Sequence, residues 1–95
     1  MFVIELTYTA PLDEIDQAMR AHMAFLNAQY AAGTFVLSGR KVPREGGVIL
    51  AVGESKAAIE ELMRTDPFCS RGLAEFRVIE FNTSQRAADV PARIK

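Results

Sequence analysis

Phe2-Val3-Ile4-Glu5-Leu6-Thr7-Tyr8-Thr9-Ala10-Pro11-Leu12-Asp13-Glu14-Ile15-Asp16 holds two periodicities in succession, and the change between them decides the fold. Phe2, Ile4, Leu6 and Tyr8 alternate with Val3, Glu5 and Thr7, the period-two pattern of a strand, and Pro11 ends it. Beyond Pro11 the apolar residues recur at steps of three and four. Leu12, Ile15, Met19, His22, Leu26 and Tyr30 mark one stripe of an amphipathic helix. Asp13, Glu14 and Asp16 put negative charge beside the unpaired N–H groups of its first turn, and Gly33 supplies the residue that closes it.

Outward from this unit, Thr34 to Val42 returns to β-rich composition. Pro43-Arg44-Glu45-Gly46-Gly47 provides a turn into a second strand, Val48 to Val52, so the two strands form a hairpin. Ser55 is placed to cap a second helix through Ala58, Ile59, Leu62 and Met63. Pro67 stops that helix, because the residue before a proline is pushed out of the α region. Gly72 then leads into a last strand, Glu75 to Phe81, and the remainder is polar and weakly patterned. The expected organisation is one domain over residues 1–82 and a C-terminal tail over 83–95. The order β-α-β-β-α-β predicts an α+β fold, a four-stranded antiparallel sheet with both helices on one face.

A sheet covered on one side needs strands that alternate apolar and polar, yet Val48-Ile49-Leu50-Ala51-Val52 is apolar on both faces. The last strand likewise offers Phe76 and Val78 to one side and Ile79 and Phe81 to the other. With no second layer encoded, the expected cover is the same face of another copy, a homodimer packed through the open sheet. The alternative is a monomer with one greasy, ligand-lined face.

Composition narrows the function classes. The 95 residues are 49% hydrophobic and 24% charged, an ordinary globular balance for a single core. The net charge is −1, so no field favours nucleic acid as a partner. The longest purely apolar run, Val48 to Val52, is far below the roughly 18 residues of a membrane span. Met1 to Leu6 lacks a basic n-region and reads as a strand rather than a signal peptide. The single cysteine, Cys69, leaves no intramolecular disulfide, and with one histidine there is no structural zinc set. A reducing, cytoplasmic setting and no metal are expected. Gly46-Gly47 lacks the Lys-Ser/Thr of a phosphate loop and the spacing of a dinucleotide fingerprint, so no cofactor is expected.

His22 is the first chemical candidate, because only histidine has an unperturbed pKa near 6.5 and exchanges protons readily at neutral pH. Its place on the inward stripe also suits a plain core histidine with one hydrogen bond. Asp66, before Pro67, is the second. An aspartate with proline next begins a helical turn, and a carboxylate that caps one N–H keeps lone pairs for a histidine. Both helices lie on one face, so a residue halfway along the first comes near the exit of the second. In such a pair the carboxylate orients the ring and fixes its tautomer.

The pieces Arg20-Ala21-His22-Met23-Ala24-Phe25-Leu26, Gly33, Ser38-Gly39 and Asp66-Pro67-Phe68 with Gly72 resemble the YCII-related (YciI-like) proteins. The resemblance spans about residues 1–82 and departs at Arg40, where the family often has proline. It implies a ferredoxin-like fold, a dimeric α+β barrel related to muconolactone isomerases, and an active site containing a histidine and an aspartate, carried here by His22 and Asp66.

Secondary candidates surround the pair. Ser38 is a candidate to hydrogen-bond a substrate from its strand face, or is an ordinary strand serine. Arg40, with Lys41 and Arg44 near the hairpin, suits an anionic substrate or plain solvation. Tyr8 can donate a hydrogen bond or simply pack. Arg20 lies about 200° around the helix from His22 and suits a surface ion pair. Cys69 follows Asp66 by three residues, and its function as a nucleophile requires a depressed pKa.

Two functions of different class follow. One is a small enzyme in which His22, oriented by Asp66, moves a proton in an elimination or isomerisation of a small organic substrate. A hydroxylated aromatic or lactone-like substrate is implied by the resemblance alone. The other is a non-catalytic dimeric module that binds a ligand or a partner protein, with His22 and Asp66 as a structural tie.

Overall fold

Strand β1 (Phe2–Tyr8) sends Phe2, Ile4 and Leu6 to one side, where all three are buried. The computed structural model describes residues 1–94, so Lys95, the end of the expected tail, lies outside the described residues. β1 pairs antiparallel with β3 (Gly46–Ala51), Ile4 opposite Ile49, and with β4 (Ala74–Glu80), Ile4 opposite Val78. β2 (Phe35–Arg40) lies beyond β3, giving a four-stranded antiparallel sheet in the order β2-β3-β1-β4. Helices α1 (Leu12–Ala31), α2 (Lys56–Met63) and the four-residue α3 (Pro67–Ser70) bury Ile15, Leu26, Ile59, Met63 and Phe68 with the inward residues of the sheet. Each such side chain contributes roughly 1.5–3 kcal/mol by leaving water. The architecture is the ferredoxin-like α+β fold that the order of elements predicts.

The helix ends follow local chemistry. Ser55 accepts a hydrogen bond from the Ala58 N–H and starts α2. Gly33, at φ 79°, closes α1 with Gly33 N–H on Tyr30 O and Thr34 N–H on Gln29 O, which satisfies two otherwise orphaned carbonyls. Gly72, at φ 71°, repeats the device after α3, with its N–H on Cys69 O and the Leu73 N–H on Phe68 O.

The helical stripe departs from its predicted membership at both ends. Ile15, His22 and Leu26 are buried, joined by Ala18, whereas Leu12 and Tyr30 are 44% and 37% exposed. Length explains it: the 20 residues of α1 span about 30 Å, against about 23 Å for a seven-residue strand, so the helix overhangs the sheet at each end.

Strand β2 is shorter than the stretch from Thr34 to Val42 and carries a bulge. Phe35 pairs with Ala51 and Leu37 with Leu50, so Val36 is the extra residue. The bulge shifts the alternation by one. Phe35 and Ser38 therefore share the helix side with their partners Ala51 and Ile49, while Leu37 turns outward and is 57% exposed.

The far face of the sheet carries Leu37, Val48, Ile79 and Phe81, all exposed. Glu5 lies among them with Lys41 at 3.3 Å and Arg77 at 3.2 Å. The hydrogen bond and charge of Lys41, with the weaker help of Arg77, hold the Glu5 carboxyl below its usual value. Residues 83–94 hold no helix or strand, with turns at 88–89 and 92–93, and Arg93 Nη1 donates to Gly33 O at 3.4 Å. Among the described residues no helix is long and apolar enough to cross a membrane.

Candidate active site

Asp66 ends the turn after α2 and caps α3: its Oδ1 accepts from the Phe68 N–H at 3.2 Å, with Pro67 in the first helical position. Proline suits that position because its missing N–H has no partner there in any helix. The Asp66 carbonyl also accepts from Cys69 N–H and Ser70 N–H. The result is a fully buried carboxylate.

His22 reaches it from the inward stripe of α1. Its Nδ1 lies 2.8 Å from Asp66 Oδ1. A carboxylate only accepts, so Nδ1 carries the hydrogen, and in the neutral ring the lone pair falls on Nε2. The ring stacks on Phe68 at a centroid distance of 3.9 Å and 7° between planes, and Tyr8 meets Phe68 edge-on at 5.9 Å. Two contacts therefore fix the imidazole, one at its edge and one across its face. It is 8% exposed, and that exposure opens onto a cleft.

The cleft lies between α1 and the β2–β3 hairpin and holds about 220 Å³. Leu6, Met23, Leu26 and Ile49 make apolar walls, Gly39, Gly47 and Val48 form the hairpin side, and His22 and Ser38 bring side-chain polar groups. Ser38 also meets the Tyr30 hydroxyl at 2.6 Å. An engineered apolar cavity of about 150 Å³ accommodates benzene, so this volume suits one substituted six-membered ring. Among the described residues no three His, Cys, Asp or Glu side chains gather as a metal-ligating group.

The structure thus brings His22, Asp66 and Ser38 around one region and leaves the other candidates apart. Tyr8 supports the site indirectly, through Phe68. Arg40 is exposed and does not line the cleft. Arg44 bonds Asp16 and thereby holds that carboxyl below its usual value, so its charge is already matched. Arg20 is exposed. Phe68 is a residue that periodicity passes over, and Tyr30 enters the periodicity only as a packing residue of the stripe. Phe68 was visible as part of Asp66-Pro67-Phe68, but nothing local announces that its ring lies on a histidine 46 positions earlier.

Cys69 is partly buried, with Sγ 4.0 Å from Asp66 Oδ2. Burial, then the Asp66 charge, pushes its thiol up to about 12 from 9.0. That is the reverse of what a nucleophile needs. Three units remove about 10³ in thiolate, of which greater intrinsic nucleophilicity returns about 30-fold. Iodoacetamide at pH 8 should therefore alkylate Cys69 about 30-fold more slowly than an unstructured peptide cysteine. Alkylation at the peptide rate would mean that the thiol is neither buried nor repelled.

A model of the YCII-related domain matches residues 1–82. Among solved structures, the chain is similar to the 5-chloro-2-hydroxyhydroquinone dehydrochlorinase TftG of Burkholderia phenoliruptrix AC1100, determined in complex with 2,5-dihydroxybenzoquinone. The TM-score is 0.71 at 19% identity, over 86% of this chain and 94% of that one. No curated protein matches the sequence. At that identity the likeness carries the fold, and the domain match carries the family: the chain belongs to the YCII-related family.

Proposed function

We propose that the protein is a small-molecule enzyme in which His22, held by Asp66, moves protons on a hydroxylated aromatic or lactone-like substrate to drive elimination or isomerisation. The observation that carries this reading is the 2.8 Å hydrogen bond from His22 Nδ1 to a buried carboxylate at the wall of a one-ring cleft. The carboxylate keeps the Nε2 lone pair available and stabilises the imidazolium once a proton arrives, the two services a general base requires.

For a chlorinated trihydroxybenzene the steps balance without an oxidant. His22 Nε2 takes a hydroxyl proton, the electron pair passes into the ring, and the carbon bearing chlorine is protonated. Loss of a second hydroxyl proton then expels chloride, leaving a hydroxyquinone and HCl. The dehydrochlorinase named above, similar in fold, supports this choice of substrate class.

The test offers 5-chloro-2-hydroxyhydroquinone anaerobically and follows chloride release. The native protein is expected to accelerate it, and His22→Gln to lose about 10²-fold with its circular dichroism unchanged. Saturable binding with no turnover by the native protein would sink the enzyme and leave the ligand-binding module.

The second copy belongs to the same proposal. Leu37, Val48, Ile79 and Phe81 give the open sheet face an apolar surface that a two-fold partner would cover. The single free thiol, Cys69, suits a reducing cytoplasm.

A further inference from the structure

Tyr30 stands two turns beyond His22 on α1, and its hydroxyl lies 2.6 Å from Ser38 Oγ on β2. Its ring packs edge-on against buried Phe35, which holds the phenol beside Ser38. Either hydroxyl can donate in this contact, and because a phenol is a far stronger acid than an alkyl alcohol, acidity favours the tyrosine as donor and the serine oxygen as acceptor. The serine proton is then left without an intramolecular acceptor among the described residues. Accepting a hydrogen bond also makes the serine O–H a better donor, because linked hydrogen bonds polarise one another.

Ser38 lines the cleft from β2 while His22 lines it from α1. One wall therefore offers a lone pair and the other offers a proton, with apolar surface from Leu6, Met23, Leu26 and Ile49 between them. We propose that Tyr30 is a positioning residue of this site: its phenol holds the Ser38 hydroxyl so that the proton points into the cleft. The site then selects a single-ring substrate that presents an accepting oxygen, carbonyl or enolate, to Ser38 while its exchangeable proton faces His22. This rests on the reading of the cleft as a substrate site, and it adds the polarity of the substrate's two edges and a residue that sequence periodicity assigns to packing.

The probe is 2,5-dihydroxybenzoquinone, a flat ring with accepting oxygens on both edges. Its Kd is measured by calorimetry for the native protein, Tyr30→Phe, Ser38→Ala, Ser38→Thr and the Tyr30→Phe/Ser38→Ala double variant. Tyr30→Phe keeps the ring against Phe35, and Ser38 is exposed, so the variants fold. Ser38→Ala is expected to weaken binding about tenfold, and Tyr30→Phe about threefold. The double variant should bind no more weakly than Ser38→Ala alone, since a phenol that acts through the serine has nothing left to orient. Ser38→Thr, which keeps the hydroxyl, should bind within about twofold of the native protein.

Native affinity in Tyr30→Phe, or fully additive losses in the double variant, overturns the positioning role and leaves the proposed chemistry standing. A native protein that neither binds the probe nor releases chloride overturns both.

Discussion

Asp66→Ala should lower the unfolding free energy by about 3–4 kcal/mol, the sum of a lost helix cap and an orphaned buried donor. The carboxylate is fully buried and does two things at once: Oδ1 accepts from the Phe68 N–H at 3.2 Å and from His22 Nδ1 at 2.8 Å. Removing a cap costs about 0.5–2 kcal/mol, and leaving the His22 N–H without an acceptor costs about 1–3 kcal/mol more. For a domain of this size the melting temperature should fall by roughly 15–25 °C. Asp66→Asn retains a cap oxygen and an acceptor for the ring, and should lose about half as much. Thermal and urea unfolding of the three chains decides it. A native-like midpoint for Asp66→Ala would show that neither hydrogen bond matters to the folded state.

Gly46→Ala is expected to cost about 4 kcal/mol or more, enough to prevent accumulation of folded protein at 37 °C. A Cβ at this position would fall 1.8 Å from Leu6 O, 2.8 Å from Leu6 C and 3.1 Å from Thr7 Cα. All three are backbone atoms of the central strand, so no rotamer change relieves the overlap. The pairs Thr7↔Gly46 and Leu6↔Gly47 would have to part, and the β1–β3 ladder would lose its end beside the cleft. Gly39→Ala is the control, because a Cβ there meets nothing within 4 Å and the backbone is not left-handed. It should stay within about 0.5 kcal/mol of native. A soluble Gly46→Ala protein melting within a few degrees of native would mean that the two strands are not held at this spacing.

Much of this molecule is readable because its local signals agree. The alternation in Phe2 to Tyr8, the cap at Ser55, Asp66 before Pro67 and the glycines at 33 and 72 each determine structure within a few residues of themselves. His22 is legible as an inward residue for the same reason. What escapes are consequences of assembly. Leu12 and Tyr30 belong to the stripe by period but emerge because the helix outruns the sheet. Ser38 faces the cleft only after the bulge at Val36 shifts the alternation, which no composition rule locates. Phe68 meets His22, and Arg44 meets Asp16, across chain separations that periodicity does not register.

The double duty of Asp66 also governs how this fold can drift under mutation. His22 donates one hydrogen bond and lies on a phenylalanine ring, so a neutral residue of similar size can replace it while the helix cap survives. Asp66 has no such freedom, since the chain turn around Pro67 depends on the same oxygen that holds the imidazole. Under the function proposed above, relaxed selection on the chemistry should therefore erase the histidine first and leave the aspartate behind, a mark of lost function that outlasts the function itself.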